Sequence, residues 1–578
     1  MAPPLTLRSS EGVQLIVNPP NDLKAVTIYE GDNKDKRCKV MKYSQDGSLL
    51  AWCNNESIVI METERFTILV KIDIARTQDL ILSPQGNFLA TWCHYTVDRT
   101  SNQGVPNLHI YDVKSGSLVR SFIQKKQPGW QPQWSSDEGI CVRNSNNVLH
   151  FFEASSYETV KTKLDLFKIS DYSLAPSAPN YMIATYCAGT KGQPSFVRIY
   201  KYPNFGGPSS ALANKSFFKA ERIALFWNKV GTALVVLTST ESSDSSYYGE
   251  QGLHYMSLRG ETCVVPLDKN GPIYNVEWNA ASTEFCVTYG YMPAKVSLFN
   301  LKCDQIFDFG TGPRNLTYYN PQGNILCIAG FGNLSGNLEF WDLKAKKLIF
   351  QTQAPDTTAF QWSPDGQHVL TATTSPRLRV GNGFKIWHYT GSLLANVATP
   401  SNHELWEAKW KPCPVGQYKE EKVSYTPVES NLEAPKPAAK APVYRPPGAR
   451  GAPSTIKLHE FEPPSNQKVA AGASLSKSQK KKANRKARAQ TEKDKKVVTG
   501  QSEPPRSEGS ITIPRSETGD PAIDKIVDKI RKKLYQVEKL KEQKKAGKQL
   551  QEQEKVKLAS ENDLIKELAE LGITVTRS

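Results

Sequence analysis

No apolar run in this chain approaches the ~20 residues needed to cross a bilayer, and the first residues lack the basic-then-apolar pattern of a secretory leader. Cysteine is sparse: ten in 578 residues, scattered, with no Cys-x-x-Cys pair. That spacing suits neither a zinc ribbon nor a disulfide scaffold and leaves reduced thiols in a cytoplasmic protein as the expectation. Catalytic strings are missing as well. There is no Gly-x-x-x-x-Gly-Lys-Ser/Thr cradle for a nucleotide, no Gly-x-Ser-x-Gly elbow and no His-Glu-x-x-His. Eight histidines without clustered carboxylates offer no acid–base pair. The expectation is a protein without catalysis, cofactor, metal or membrane partner.

Aromatic residues are absent from one region in particular. Residues 426–578 contain only Tyr444, Phe461 and Tyr535, whereas all eleven Trp lie before residue 411. Charge divides at the same place. Residues 426–578 hold 32 of the 73 Lys and Arg against 20 of the 57 Asp and Glu, a net of +12. The first 425 residues hold 41 against 37, a net of +4. A near-neutral, aromatic-rich body thus carries a basic tail too poor in apolar residues to build a core, and polyanions are its natural partners.

The body is repetitive. An apolar or aromatic residue precedes Ser, Asn or a substitute, then a Pro/Asp/Gly turn, then strand formers. It recurs at Tyr43-Ser44, Leu82-Ser83, Trp134-Ser135, Leu174-Ala175, Trp227-Asn228, Trp278-Asn279, Tyr319-Asn320, Trp362-Ser363 and, degenerately, Trp410-Lys411. Spacings between these anchors run from 39 to 53 residues with a mean of about 46, close to the ~40–45-residue period of WD-type blades. A second theme follows six of the anchors, an apolar-aromatic pair often followed by Asp, such as Ile110-Tyr111-Asp112 or Phe340-Trp341-Asp342, and reads as the third strand of a blade. Nine anchors predict an all-β, nine-bladed WD-type β-propeller over residues 1–425. Eight blades with a stray strand is the alternative. Residues 13–17 alternate as a strand before the first anchor and are expected to complete the last blade.

The tail reads as two segments. Residues 426–518 are Pro-, Ser- and Lys-rich and are expected to be a disordered basic linker. Within it, residues 477–496 carry ten Lys and Arg against Glu492 and Asp494. Lys480, Lys481, Lys482, Arg485, Lys486 and Arg488 are the candidate contacts to RNA phosphates; without interleaved aromatics they are expected to bind with salt dependence and little sequence preference. Residues 519–572 open with Asp520-Pro521 as cap and first turn and predict amphipathic helices. Ile523, Val527, Ile530, Leu534, Val537 and Leu540 form a near-heptad seam suited to a protein partner.

Longer strings carry a resemblance. PSFVRIYKYPNF at 194–205, ANKSFFKA at 213–220, SYYGEQ at 246–251, MPAK at 292–295, FGTGPRN at 309–315 and GFKIWHYTG at 383–391 are similar to the eukaryotic translation initiation factor 2A family. YRPP at 444–447 and GDPAIDK at 519–525 extend the likeness into the tail. The resemblance implies a single-chain propeller factor. It would direct initiator methionyl-tRNA to the small ribosomal subunit for a subset of mRNAs, depending on the codon rather than on GTP. It also implies mRNA and another initiation factor as partners of the tail, the latter through the C-terminal helices. The competing readings are the propeller subunit of initiation factor 3 and a WD scaffold that does not bind RNA. No residue role carries over from the family, so Lys215, Lys219 and Arg314 are physical choices for a ribosome contact on the propeller surface. The Gly-rich 309–315 stretch reads as an inter-blade loop rather than an anion cradle.

Overall fold

Nine four-stranded antiparallel sheets follow one another around a ring in the computed structural model. It describes residues 2–432, except 32–35, 154–155, 167, 190–192, 219, 241–248, 415 and 431, and also 511–512, 537 and 576–577. Blades 1 to 8 span residues 40–72, 79–122, 133–165, 169–217, 222–264, 273–312, 316–353 and 359–398. In each, the chain runs outward from the first strand to the fourth, and neighbouring first strands line the centre.

Each of the nine sequence anchors marks the end of an inner strand. Tyr43, Leu82, Trp134, Leu174, Trp227, Trp278, Tyr319, Trp362 and Trp410 are the last residues of those strands. The polar residue that follows closes the turn. Oxygens of Ser44, Ser83, Ser135, Asn228 and Asn320 accept the backbone N–H of Leu49, Phe88, Ile140, Ala233 and Ile325, at 2.9, 2.9, 3.1, 3.1 and 3.0 Å. A short buried acceptor is what this turn requires, which is why Ser and Asn recur. Anchor tryptophans add a bond between blades. The indole N–H of Trp227, Trp278 and Trp362 donates to the carbonyls of Ser173, Phe226 and Tyr318, each on the preceding inner strand. Gly366, with φ of 72°, shows how tightly turns abut: a Cβ there would lie 1.7 Å from Gln322 Oε1 of blade 7.

The core is divided among the gaps between blades. Nine apolar clusters occupy nine gaps, for example Val235, Leu253, Val276, Phe285 and Phe299 between blades 5 and 6. Burying one such side chain stabilises by roughly 1.5–3 kcal/mol, so each blade depends on both neighbours.

Blade 9 closes the ring with both ends of the described propeller. Its inner strand, Leu405–Trp410, pairs antiparallel with Leu5–Ser9; Gly12–Asn18 and Asp22–Glu30 follow outward. Residues 13–17 therefore do belong to the last blade, as its third strand. The strand that bonds to the inner one is Leu5–Ser9, which the sequence reading did not select. Its sequence, Leu-Thr-Leu-Arg-Ser, also alternates, but it is only five residues long and nothing local ties it to an inner strand about 400 residues away.

The described chain does not leave the propeller at residue 425. Residues 411–432 form a strap across blades 7 and 8. Ser424 N–H donates to Tyr389 Oη at 2.8 Å, Tyr425 Oη to Asp342 at 2.9 Å and Ser392 Oγ to the Val428 carbonyl at 2.6 Å. Val423 packs on the cluster between those blades, and Leu393 bridges Leu432. Residues 446–578 form a separate unit, in which Ile511–Thr512 pairs with Thr576–Arg577.

Candidate nucleic-acid interface

Strand order gives the ring two unlike faces. Connections from first to second and from third to fourth strands lie on one side and are mostly tight turns. Those from second to third, and from blade to blade, lie on the other. That loop face holds long connections at 93–107, 123–132 and 374–382. Binding residues concentrate on loops held by a rigid scaffold, which makes this face the candidate interface.

Of the predicted surface cations, Lys215 is half-buried in the outer strand Ala213–Phe217 of blade 4. Burial, and then the charge of Lys215, hold the nearby His254 down to about 4. Lys219 lies outside the described residues. Arg314 is not a surface residue. It is 7 % exposed, and its guanidinium makes a bidentate pair with Glu339 at 3.0 and 2.7 Å. Nη1 donates to the carbonyls of Phe309 and Gly310 at 2.8 and 3.0 Å, and Trp341 Nε1 donates to Glu339 at 3.1 Å. Residues 309–312 thus end the outer strand of blade 6 rather than lying in a loop; only 313–315 connect the blades, and the arginine there turns inward and ties blade 6 to blade 7. A Cβ on Gly312 would meet Arg314 Nε at 2.9 Å, so the glycine makes room for that turn.

The basic run from Lys480 to Arg488 lies outside the described residues, as does the helical seam except Val537, which is helical and buried. Leu432, the last described residue of the strap, bridges Leu393 at the start of blade 8's outer strand, on the turn face.

Sequence reasoning missed a cluster at the mouth of the ring on the loop face. The guanidinium groups of Arg8 and Arg37 sit 5.5 and 5.9 Å from the ring centroid of Trp406, on the inner strand of blade 9. Trp406 Nε1 donates to Glu404 at 2.9 Å, which, with Ser375 and then the charges of Arg379 and Arg37, holds Glu404 below the ordinary carboxylate range. Burial pushes Glu407 up, but Lys409 and Arg8 outweigh it and leave the carboxylate depressed. Arg377 and Arg379 are exposed on the 374–382 loop beside it. Ring closure alone brings Arg8 and Arg37 to Trp406. No local string could have signalled it. Planar cations beside an indole are groups that hold phosphates and stack on bases.

Among the described residues, no group of three or more His, Cys, Asp or Glu is placed to hold a metal. Asp365 and His368 pair at 2.7 Å, but Asp365 also accepts the N–H groups of Gln367 and His368, so the pair closes a turn.

Comparison with known proteins adds the family. The sequence profile described as Eukaryotic translation initiation factor eIF2A matches residues 215–408. Eukaryotic translation initiation factor 2A of Caenorhabditis elegans is 34 % identical over 98 % of this chain and 99 % of its own length. Its counterpart in Drosophila melanogaster is 37 % identical over 78 % of this chain and 72 % of its own. A solved crystal structure of a eukaryotic initiation factor superposes with a TM-score of 0.66 at 34 % identity, covering 72 % of this chain and all of the other. With nine blades, an inter-blade arginine lock and likeness running nearly end to end, the chain belongs to the eukaryotic translation initiation factor 2A family.

Proposed function

We propose that this chain directs initiator methionyl-tRNA to the small ribosomal subunit, for a subset of mRNAs, dependent on the codon and without GTP or catalysis of its own. The propeller docks on the subunit by its loop face, with Lys215, Lys219 and the arginines around Trp406 as contacts. The tail holds RNA through Lys480, Lys481, Lys482, Arg485, Lys486 and Arg488. The seam from Ile523 to Leu540 engages another initiation factor. The work takes place in the cytoplasm.

One observation carries this reading: a net of +12 in residues 426–578 against +4 in the body, with +8 concentrated in residues 477–496 of a family member. Each phosphate neutralised by such a run releases counterions, giving affinity that is strong at low salt and tolerant of sequence. The missing phosphate-cradle string agrees with independence from GTP.

Sedimentation tests it. Full-length protein and a chain ending at residue 432 are mixed with purified small subunits and initiator methionyl-tRNA, without nucleotide. The expected result is that both proteins pellet with subunits and only the full-length chain raises the tRNA in the pellet. Failure of both to pellet would favour a scaffold that does not bind the ribosome.

A further inference from the structure

Ten thiols are distributed through the propeller, and two of them meet across a gap between blades. Cys263 lies in Thr262–Val264, the outer strand of blade 5, half-buried beside the exposed Val264. Cys303 lies on the turn joining the third and fourth strands of blade 6 and is 3 % exposed. Their sulfurs are 2.6 Å apart. Among the described residues no other two thiols are in such contact. Both residues belong to the cluster that joins these blades.

Backbone conformation points the same way. Cys303 has φ of 67°, a left-handed position where glycine or asparagine is usual and a cysteine is strained. The turn enforces it. Cys303 N–H donates to the Asn300 carbonyl at 3.0 Å, and Asn300 Oδ1 accepts the N–H groups of Lys302 and Asp304, both at 2.9 Å. Nothing in the turn itself requires a thiol there. The corresponding turns of blades 1 and 7 place Phe66 and Lys346 in the same region, so the turn sets the backbone; a cysteine at this position in blade 6 brings its Sγ against Cys263.

We propose that Cys263 and Cys303 are an oxidisable pair, which hydrogen peroxide converts into a disulfide stapling blade 5 to blade 6. Cys263, the more accessible sulfur, reacts first. Its thiolate attacks one peroxide oxygen, an S–O bond forms, the O–O bond breaks, and the leaving hydroxide takes up the thiol's proton as water. Cys303 stays protonated meanwhile, because burial, and then Cys263 and Asp304, push its thiol up. It acts second. Its sulfur attacks the Cys263 sulfenic sulfur, the S–S bond forms, the S–O bond breaks, and hydroxide leaves with the Cys303 proton as a second water. Two thiols are oxidised by two electrons and one peroxide is reduced to two waters. A dithiol reverses the reaction, as a cytoplasmic thiol switch requires.

The bond would join residues 40 apart in sequence and so restrict the unfolded chain, raising resistance to unfolding. It would add a covalent link to two blades otherwise joined by apolar contact and a few hydrogen bonds, such as that from Trp278 to the Phe226 carbonyl. This goes beyond RNA binding and stands or falls separately from it.

Reduced full-length protein is treated with hydrogen peroxide, its remaining thiols are alkylated, and peptides are mapped by mass spectrometry before and after a dithiol. The expected product is one reducible cross-link between the peptides holding Cys263 and Cys303. The melting temperature should rise on oxidation in the wild type and not in Cys263→Ser. In Cys303→Ser, the sulfenic acid at Cys263 should persist long enough to be trapped by dimedone, a reagent specific for it. Equal alkylation of both thiols after peroxide, or cross-links only to other cysteines, would overturn the proposal. Should Cys303→Ser fail to fold, the wild-type cross-link map and Cys263→Ser still decide it.

Discussion

Arg314 shows how a charged residue in a glycine-rich string can mislead. Its neighbours in sequence suggest an exposed loop; its partner, Glu339, lies a strand away in the next blade and is visible only in three dimensions. Replacing Arg314 with Ala would leave Glu339 buried without its counter-charge, at a cost of about 3–5 kcal/mol. The expected outcome is a lower denaturation midpoint in urea. A variant as stable as wild type but unable to bind small subunits would instead restore Arg314 to the surface. His388 gives a pH-dependent counterpart. Burial, and then the charge of His368, hold it down to about 4, against ~6.5 for a free histidine. As pH falls below ~6.5 the unfolded chain therefore takes up this proton before the folded one does, so stability declines until pH reaches about 4 and then levels off for this group. His388 also bonds Thr390 Oγ1 at 2.7 Å, so His388→Gln should be less stable at pH 7.5. Calorimetric melting should show the gap to wild type narrowing at pH 5. A constant gap would mean that His388 already carries its proton when folded.

At the scale of the element, the inner strands and their turns were legible because an apolar strand end recurs nine times, followed in seven cases by a short Ser or Asn. The closing strand was not legible. Leu5–Ser9 is a short segment whose pairing partner lies about 400 residues away, so nothing local assigned it to the last blade. Deleting residues 1–9 should expose the edge of Leu405–Trp410 and open the cluster containing Leu5, Leu370 and Trp410. Loss of a single cooperative melt, with rising light scattering, is the expected outcome; an unchanged melt would mean that the ring closes without that strand. The strap was legible only in part: residues up to 425 were assigned to the propeller, but 426 onward read as linker, while the contacts of Val428 and Leu432 come from blade 8. A chain ending at residue 432 should melt at a higher temperature than one ending at 418, which loses Val423, Tyr425 and Val428. Equal melting temperatures would show that the strap lies on the ring without stabilising it.

For the molecule as a whole, composition spoke most clearly. Aromatics and near-neutral charge mark the part that folds as a ring, and their absence with a net of +12 marks the rest. The mouth cluster around Trp406 stayed hidden because ring closure, and not any segment, assembles it. In the function proposed above, RNA is held mainly by phosphate contacts from the basic run of residues 477–496. RNA affinity measured at several salt concentrations for wild type and for a variant with Lys480, Lys481, Lys482, Arg485, Lys486 and Arg488 all changed to Ala tests it most directly. Up to six phosphate partners are removed, and each is worth roughly 0.7 in the slope of log affinity against log salt for a single strand, so the slope should flatten by up to about 4. The loss should be similar for RNAs of different sequence. An unchanged slope would contradict the claim and move the RNA site onto the loop face of the propeller.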